Sequence, residues 1–267
     1  MIRLLAAGVA LLLSTAAVAF TLDAPVEQGR LVRGQTAPGA KILLDGKPLP
    51  VSAAGAFVFG LARDAKGSIT LSENGVATVL PIAAKAWDIQ KIDGLPPAKV
   101  NPDPEGMKRI QAEAAQLKTV RALVSDLTGF AEAFQWPAEG RISGIYGSQR
   151  ILNGEPRAPH LGLDIAGPTG TPIRAPASGK IVLAEPDLFF TGRTVILDHG
   201  HGVASIFAHL SASSVTVGQA IQAGQEIGRV GATGRVTGPH LHWGVYWGSV
   251  TVDPRPLLPS QDPTPLP

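Results

Sequence analysis

Three short stretches of the chain carry side chains that can hold a metal ion or move a proton. In His160-Leu161-Gly162-Leu163-Asp164 an imidazole and a carboxylate stand four residues apart. Read as a strand, positions i and i+4 share a face, and Gly162 leaves space beside them, so both groups could reach one cation. Taken alone, the pair reads by default as a buried His–Asp hydrogen bond. In His240-Leu241-His242-Trp243 a strand reading puts the two imidazoles on one side and Leu241 and Trp243 on the other, with Thr237-Gly238-Pro239 fixing the entry. The two imidazoles then stand about 6.5–7 Å apart at Cα, so one could bind a metal while the other sits beside the open position. His209 closes an apolar run that follows a Gly200-His201-Gly202 turn, and by itself it reads as a structural histidine.

The elements that must position these groups are short strands. Among 267 residues, 31 Gly and 23 Pro without a repeating period, 45% hydrophobic and 16% charged residues describe a folded, mainly β protein rich in turns. All six histidines lie beyond Trp136, so the chemistry belongs to the C-terminal part. Residues 26–92 break into apolar runs at 30–34, 41–44, 57–61, 68–72 and 77–82, and Asp45-Gly46 marks a tight hairpin. These predict a small β-sandwich-like domain over residues 20–98, with no histidine and no chemistry of its own. Met107, Ile110, Ala114, Leu117, Val120, Val124 and Leu127 recur every three or four residues. They predict one apolar stripe on a helix ended by Gly129, a connector over residues 99–135 that packs on its neighbours or serves as a partner-binding surface. Residues 136–258 form the β-rich domain with the histidines, and residues 259–267 a Pro-rich, extended tail.

Charge and composition exclude several roles. A balance of 23 basic and 21 acidic residues offers no pull toward nucleic acid. The absence of cysteine removes disulfides, thiolate catalysis and cysteine-ligated zinc. One arginine, an apolar run from position 4 to 13 and Ala17-Val18-Ala19 read as a secretory signal cleaved before Phe20, too short to span a bilayer. No later segment reads as a membrane span. A serine hydrolase lacks its Gly-x-Ser-x-Gly turn.

Taken in order, His160-x-x-x-Asp164, His209-Leu210 and Gly238-Pro239-His240-Leu241-His242 resemble the lysostaphin-type, or LytM-like, zinc endopeptidases of peptidoglycan. The resemblance covers residues 144–258, and the His-Gly-x-Gly hairpin at His199 to Gly202 agrees with it. The N-terminal β-region is similar to a small domain found ahead of some members. The resemblance implies an antiparallel β-sheet metallopeptidase domain with an open groove, and one Zn2+ held by His160, Asp164 and His242. It assigns His209 and His240 to the substrate, without deciding which is the general base. Phe207 departs from the pattern, standing where many relatives have tyrosine. Two neutral imidazoles and a carboxylate would leave zinc a net +1 and a fourth position for water, whose pKa can fall to about 7. A neighbouring imidazole can then take the water proton and pass it to a leaving amine.

The remaining candidates stay open. His199 and His201 read as hairpin residues. Phe189, Phe190, Tyr246 and Trp247 read as groove wall or as core. Arg235 reads as a carboxylate-binding residue or as a solvated loop cation, and Asp198 and Asp253 as partners for imidazole N–H groups. The functional expectation is an exported, periplasmic zinc endopeptidase acting on peptide cross-links of peptidoglycan, usually D-alanyl to diaminopimelate on the family's pattern. The alternative is a catalytically silent relative that binds the wall or activates a separate amidase, and a structural secreted β-protein with a histidine-lined metal site is a third reading.

Overall fold

Aromatic and β-branched runs punctuated by glycine turns give short strands almost throughout the described residues, 20–94 and 103–260, of the computed structural model. The secretory signal and the final tail lie largely outside those residues. Near the N-terminus, β1 (Thr21–Leu22), β2 (Leu31–Gln35) and β5 (Ala56–Gly60) pair in the order β1-β2-β5. β3 (Ile42–Leu44), β4 (Lys47–Leu49), β6 (Ser68–Glu73) and β7 (Val76–Pro81) pair in the order β4-β3-β6-β7. Val32, Phe57 and Phe59 of the first sheet share one core with Ile42, Ile69 and Leu71 of the second. Asp45 and Gly46 both take positive φ, 48° and 77°, in the hairpin that joins Leu44 to Lys47. A two-residue turn that matches strand twist requires this geometry, and an Asp-Gly pair permits it.

β8 (Ile89–Ile92) does not complete that domain. It runs parallel to β10 (Gln149–Leu152), Gln90 opposite Arg150, and so becomes part of the histidine-bearing half. Other contacts join the two halves: Arg63 Nε donates to Gly147 O at 2.6 Å and Lys85 pairs with Asp253 at 2.8 Å. At Gly60 an added Cβ would lie 2.8 Å from Trp247 Cβ.

Helix α1 (Pro104–Arg121) is capped by Asp103, whose carboxylate accepts from Gly106 N. It ends eight residues before Gly129, the predicted stop, and buries no residue fully. Leu117 and Val120 pack against Leu183, Ile196, Ala204, Ile206 and Tyr246, whereas Met107, Val124 and Leu127 are exposed. The stripe is therefore used only at the C-terminal end of the helix, and its last members beyond the helix are not packed. Tertiary bonds capture the chain after Arg121: Ser125 Oγ donates to Asp198 Oδ2 at 2.7 Å, and Ser125 O accepts from His201 N at 2.9 Å.

The C-terminal half is built on an eight-stranded sheet. β18 (Ala220–Ile221), β14 (Gly179–Leu188), β15 (Gly192–Gly200), β16 (Val203–Leu210), β20 (His240–Trp247), β12 (Leu163–Ala166) and β9 (Arg141–Gly144) follow in that order, with β21 (Val250–Val252) on β20. β13 (Pro172–Arg174), β19 (Glu226–Arg229) and β17 (Ala212–Ser213) make a smaller antiparallel sheet, and β11 (Glu155–Pro156) extends β10. Ile173 and Ile227 from the small sheet share a core with Val195, Phe207, Leu241 and Trp243 from the large one. Phe207, at 0% exposure, belongs to this core. Among the described residues no helix is long and apolar enough to cross a membrane.

Candidate metal centre

Sheet register brings the first two groups together. On β12, Asp164 lies directly opposite His242 of β20, and on the other flank of β20, His242 pairs with Ala208 of β16, next to His209. Alternation along β20 sends Leu241 and Trp243 into the core, both 0% exposed, and leaves His240 and His242 on the other face. His160 is not on the strand, contrary to the i, i+4 reading: it precedes β12 in an irregular segment, its backbone N–H donating to Ser148 O at 2.8 Å. It still reaches Asp164, because the bend at Gly162 folds it back over the carboxylate.

Asp164 Oδ1 lies 3.0 Å from His160 Nε2 and 2.8 Å from His242 Nδ1, and the two nitrogens are 3.1 Å apart. Tautomers follow from the remaining bonds. His160 Nδ1 lies 3.0 Å from Ile145 O; a carbonyl only accepts, so Nδ1 carries the proton and Nε2 presents a lone pair to the carboxylate. Three electron-pair donors thus face one another with at most one shared proton among them. A cation resolves that arrangement, and separations near 3 Å suit two bonds of about 2 Å each to a common ion. These three residues could hold a metal.

His209 and His240 complete the group. The His209 ring centroid is 4.8 Å from that of His240 and 6.0 Å from that of His242. His209 Nδ1 donates to Thr233 O at 2.8 Å and His240 Nδ1 to Gly238 O at 2.9 Å, so each presents Nε2 as a lone pair. His209 sits at φ 66°, a left-handed conformation uncommon for a side-chain-bearing residue.

Electrostatics disfavour the charged form of two of the imidazoles, His209 and His242. Burial, reinforced by His242 and His240, pushes the His209 pKa down to about 3. Burial also pushes His242 down to about 4, against the hydrogen bond to Asp164. Burial alone would raise the Asp164 carboxyl, but His160 and His242 hold it well below the usual carboxylate range. Arg150 Nη2 contacts the other oxygen, Oδ2, at 3.2 Å, which leaves Oδ1 facing the imidazoles.

The structure thus gathers all five candidates named from the sequence: His160, Asp164, His209, His240 and His242. His199 and His201 stand apart, as hairpin residues. His199 bonds to Ser178 O and Ser205 Oγ, and the His201 ring lies against Phe130. Asp198 and Asp253 do not serve the imidazoles. Asp198 accepts from Ser125 and Gly200, and Asp253 pairs with Lys85. The imidazole N–H groups use backbone carbonyls of Ile145, Thr233 and Gly238 instead, which carry no side-chain signal. Tyr246 is core, whereas Phe190 lies beneath the Arg235 guanidinium, 4.3 Å from ring centroid to Cζ. Arg150 went unnoticed in the sequence because no spacing links it to the histidines.

Such a His–Asp–His cluster on an antiparallel sheet, flanked by two further imidazoles, defines a metallopeptidase-like site. Residues 158–254 match Peptidase family M23. The chain also superposes with a TM-score of 0.67 on a crystal structure from Pseudomonas aeruginosa described as a candidate M23 peptidase, at 31% identity over 88% of this chain and 95% of that one. The chain belongs to peptidase family M23. It is 46% identical over 84 residues to the DD-carboxypeptidase/endopeptidase Mpg of Neisseria meningitidis serogroup B, covering 32% of this chain and 19% of that protein. It is 40% identical over 115 residues to the peptidoglycan DD-endopeptidase ShyA of Vibrio cholerae, covering 42% and 26%. The match therefore spans about a fifth to a quarter of these curated relatives' length.

Proposed function

We propose that this protein is an exported zinc-dependent endopeptidase that hydrolyses peptide cross-links of peptidoglycan, with His160, Asp164 and His242 as metal ligands and His209 and His240 acting on the substrate. The observation that carries the reading is the triangle of Asp164 Oδ1, His160 Nε2 and His242 Nδ1, each pair within 3.1 Å, beside two imidazoles with free Nε2 atoms. The names of the relatives point to a D,D bond, of which D-alanyl to diaminopimelate is the proposed example. A peptidoglycan substrate supports export from the cytoplasm, and the periplasm is the proposed compartment.

Zinc, when bound, supplies a Lewis acid and makes water acidic enough to ionise near neutral pH. The chain's own residues do the rest. Because Nδ1–H of His209 and of His240 is spent on a carbonyl, each Nε2 begins as an acceptor, able to take the proton of the attacking water. Only after accepting it does that imidazole become a donor, and it can then return the proton to the leaving amine nitrogen. The second imidazole accepts a hydrogen bond from water or substrate and fixes its orientation. Arg150 restrains the carboxylate of Asp164 so that the same oxygen always faces the imidazoles. The presence of all five side chains speaks against the silent, binding-only alternative.

Incubation with defined muropeptide dimers, with and without chelator, followed by mass analysis, tests the proposal. Metal-dependent loss of dimer is expected. His242→Ala should lose both bound zinc and turnover, whereas His209→Ala should keep zinc and lose at least about 100-fold in turnover, the scale of one proton-transfer group. Equal zinc loss in both variants would overturn the division of roles. An inert, metal-loaded protein that switches on an added amidase would overturn the enzyme reading itself.

A further inference from the structure

A cavity of about 160 Å3 opens beside the metal centre, lined by Asp164, His209 and His240 and by two cations, Arg150 of β10 and Arg235 of the loop before β20. Among the described residues of this lining Asp164 supplies the one carboxylate, and both its oxygens are engaged, Oδ1 by imidazoles and Oδ2 by Arg150. Positive charge is therefore in surplus at the wall, and a divalent ion in the His–Asp–His triangle adds to it. Arg235 is not a freely solvated loop cation. It is half-buried, its guanidinium is stacked on Phe190, and burial together with repulsion from Arg150 and Arg157 pushes its pKa down to about 10. Holding like charges together in a partly buried wall is costly, and an anion seated between them removes the cost. A planar guanidinium fork, already oriented by an aromatic face, matches a carboxylate through paired N–H···O bonds. Thr237 and Gln90 add neutral hydrogen-bonding groups to the same wall.

We propose that Arg150 and Arg235 form a carboxylate subsite, which selects peptides bearing a free carboxylate about one residue from the bond presented to His209 and His240. This deepens the endopeptidase reading and rests on it. The cavity is open to solvent and has room for a carboxylate-bearing side chain or a chain terminus. Arg235 contacts substrate in this scheme, while Arg150 also holds Asp164.

Three synthetic stem-peptide dimers separate the sources of the carboxylate: one with all carboxylates free, one amidated at the diaminopimelate branch, and one amidated at the chain terminus. Their binding to chelator-treated protein is measured by calorimetry, and their cleavage by the zinc-loaded protein is followed by mass. Amidation at one of the two positions should weaken binding about tenfold or more, the scale of a charge-assisted hydrogen bond, and the position that matters identifies the carboxylate. Arg235→Gln should collapse the ratio of free to amidated affinity toward one. Indifference of the native protein to both amidations overturns the proposal without any variant, and so does an Arg235→Gln protein that still discriminates. Discrimination in binding with no cleavage of any dimer would instead remove the endopeptidase reading and leave the subsite standing.

Discussion

Gly162 stands between two metal-ligand candidates and touches a third. An added Cβ would lie 2.6 Å from His242 Cε1, 2.8 Å from its Nε2 and 2.8 Å from Trp243 O. The backbone oxygen belongs to a ladder strand and cannot move, so the ring must. Gly162→Ala should therefore weaken zinc binding by about 10- to 100-fold, the usual cost of disturbing a group that orients a ligand, while far-UV circular dichroism stays unchanged. Competition against a fluorescent zinc chelator measures it, and native affinity in the variant would refute the packing argument. The need for space at this glycine was legible in the sequence, as were the types and order of the five reactive residues. Their convergence was not legible from spacing, because each stretch taken alone reads as structural. The partners that fix the tautomers were hidden for a different reason: Ile145, Thr233 and Gly238 act through backbone oxygens, which every residue has. Arg150 was hidden because its approach to Asp164 depends on how β10 is laid against the sheet.

Strands proved easier to read than the helix because their signals are local. Leu44-Asp45-Gly46-Lys47 contains everything its hairpin needs, and the alternation of β20 follows from a period of two. Helix α1 continues or stops according to what competes for its backbone, and here Ser125, Asp198 and His201 win, six residues short of the last position of the apolar stripe. β8 escaped for the same reason: its parallel pairing with β10 joins segments nearly sixty residues apart. With no fully buried residue, α1 depends on its ends more than most helices do. The Asp103 carboxylate satisfies one of the free N–H groups of its first turn, and Arg121 at the other end donates to the Tyr246 hydroxyl and lies over its ring. Asp103→Ala should cost about 1 kcal/mol locally. Hydrogen exchange in the first two turns should then rise about fivefold, that energy expressed as an opening equilibrium, with zinc content unaltered. Unchanged protection there would mean that packing near Leu117, not the cap, sets the stability of the whole helix.

Burial of a titratable side chain couples its protonation to the stability of the entire fold, and His199 shows the consequence. It is 0% exposed, lies between Ser178 O at 2.9 Å and Ser205 Oγ at 2.8 Å, and packs on the ring of Phe134, which precedes the large sheet in the chain. Burial lowers its pKa from 6.5, with only partial compensation from the bond to Ser178. The sign of the linkage follows. Above the unfolded value neither state is protonated at this ring, and stability is independent of it. As pH falls below that value the unfolded chain takes up a proton that the folded ring refuses, so stability is lost, by up to about 1.4 kcal/mol per pH unit for one such group. Urea midpoints of chelator-treated protein should accordingly drop on going from about pH 7.5 to about pH 5.5. Other buried imidazoles, His209 and His242 among them, titrate in the same direction, so the native slope alone does not isolate His199. His199→Gln does. It removes one titrating ring far from the metal ligands and keeps a side chain able to donate and accept, so its slope should be shallower than the native one whatever its absolute stability. Parallel slopes for the two proteins would show that His199 is protonated without penalty, and that the interior around Ser178, Ser205 and Phe134 opens to water more readily than its packing implies.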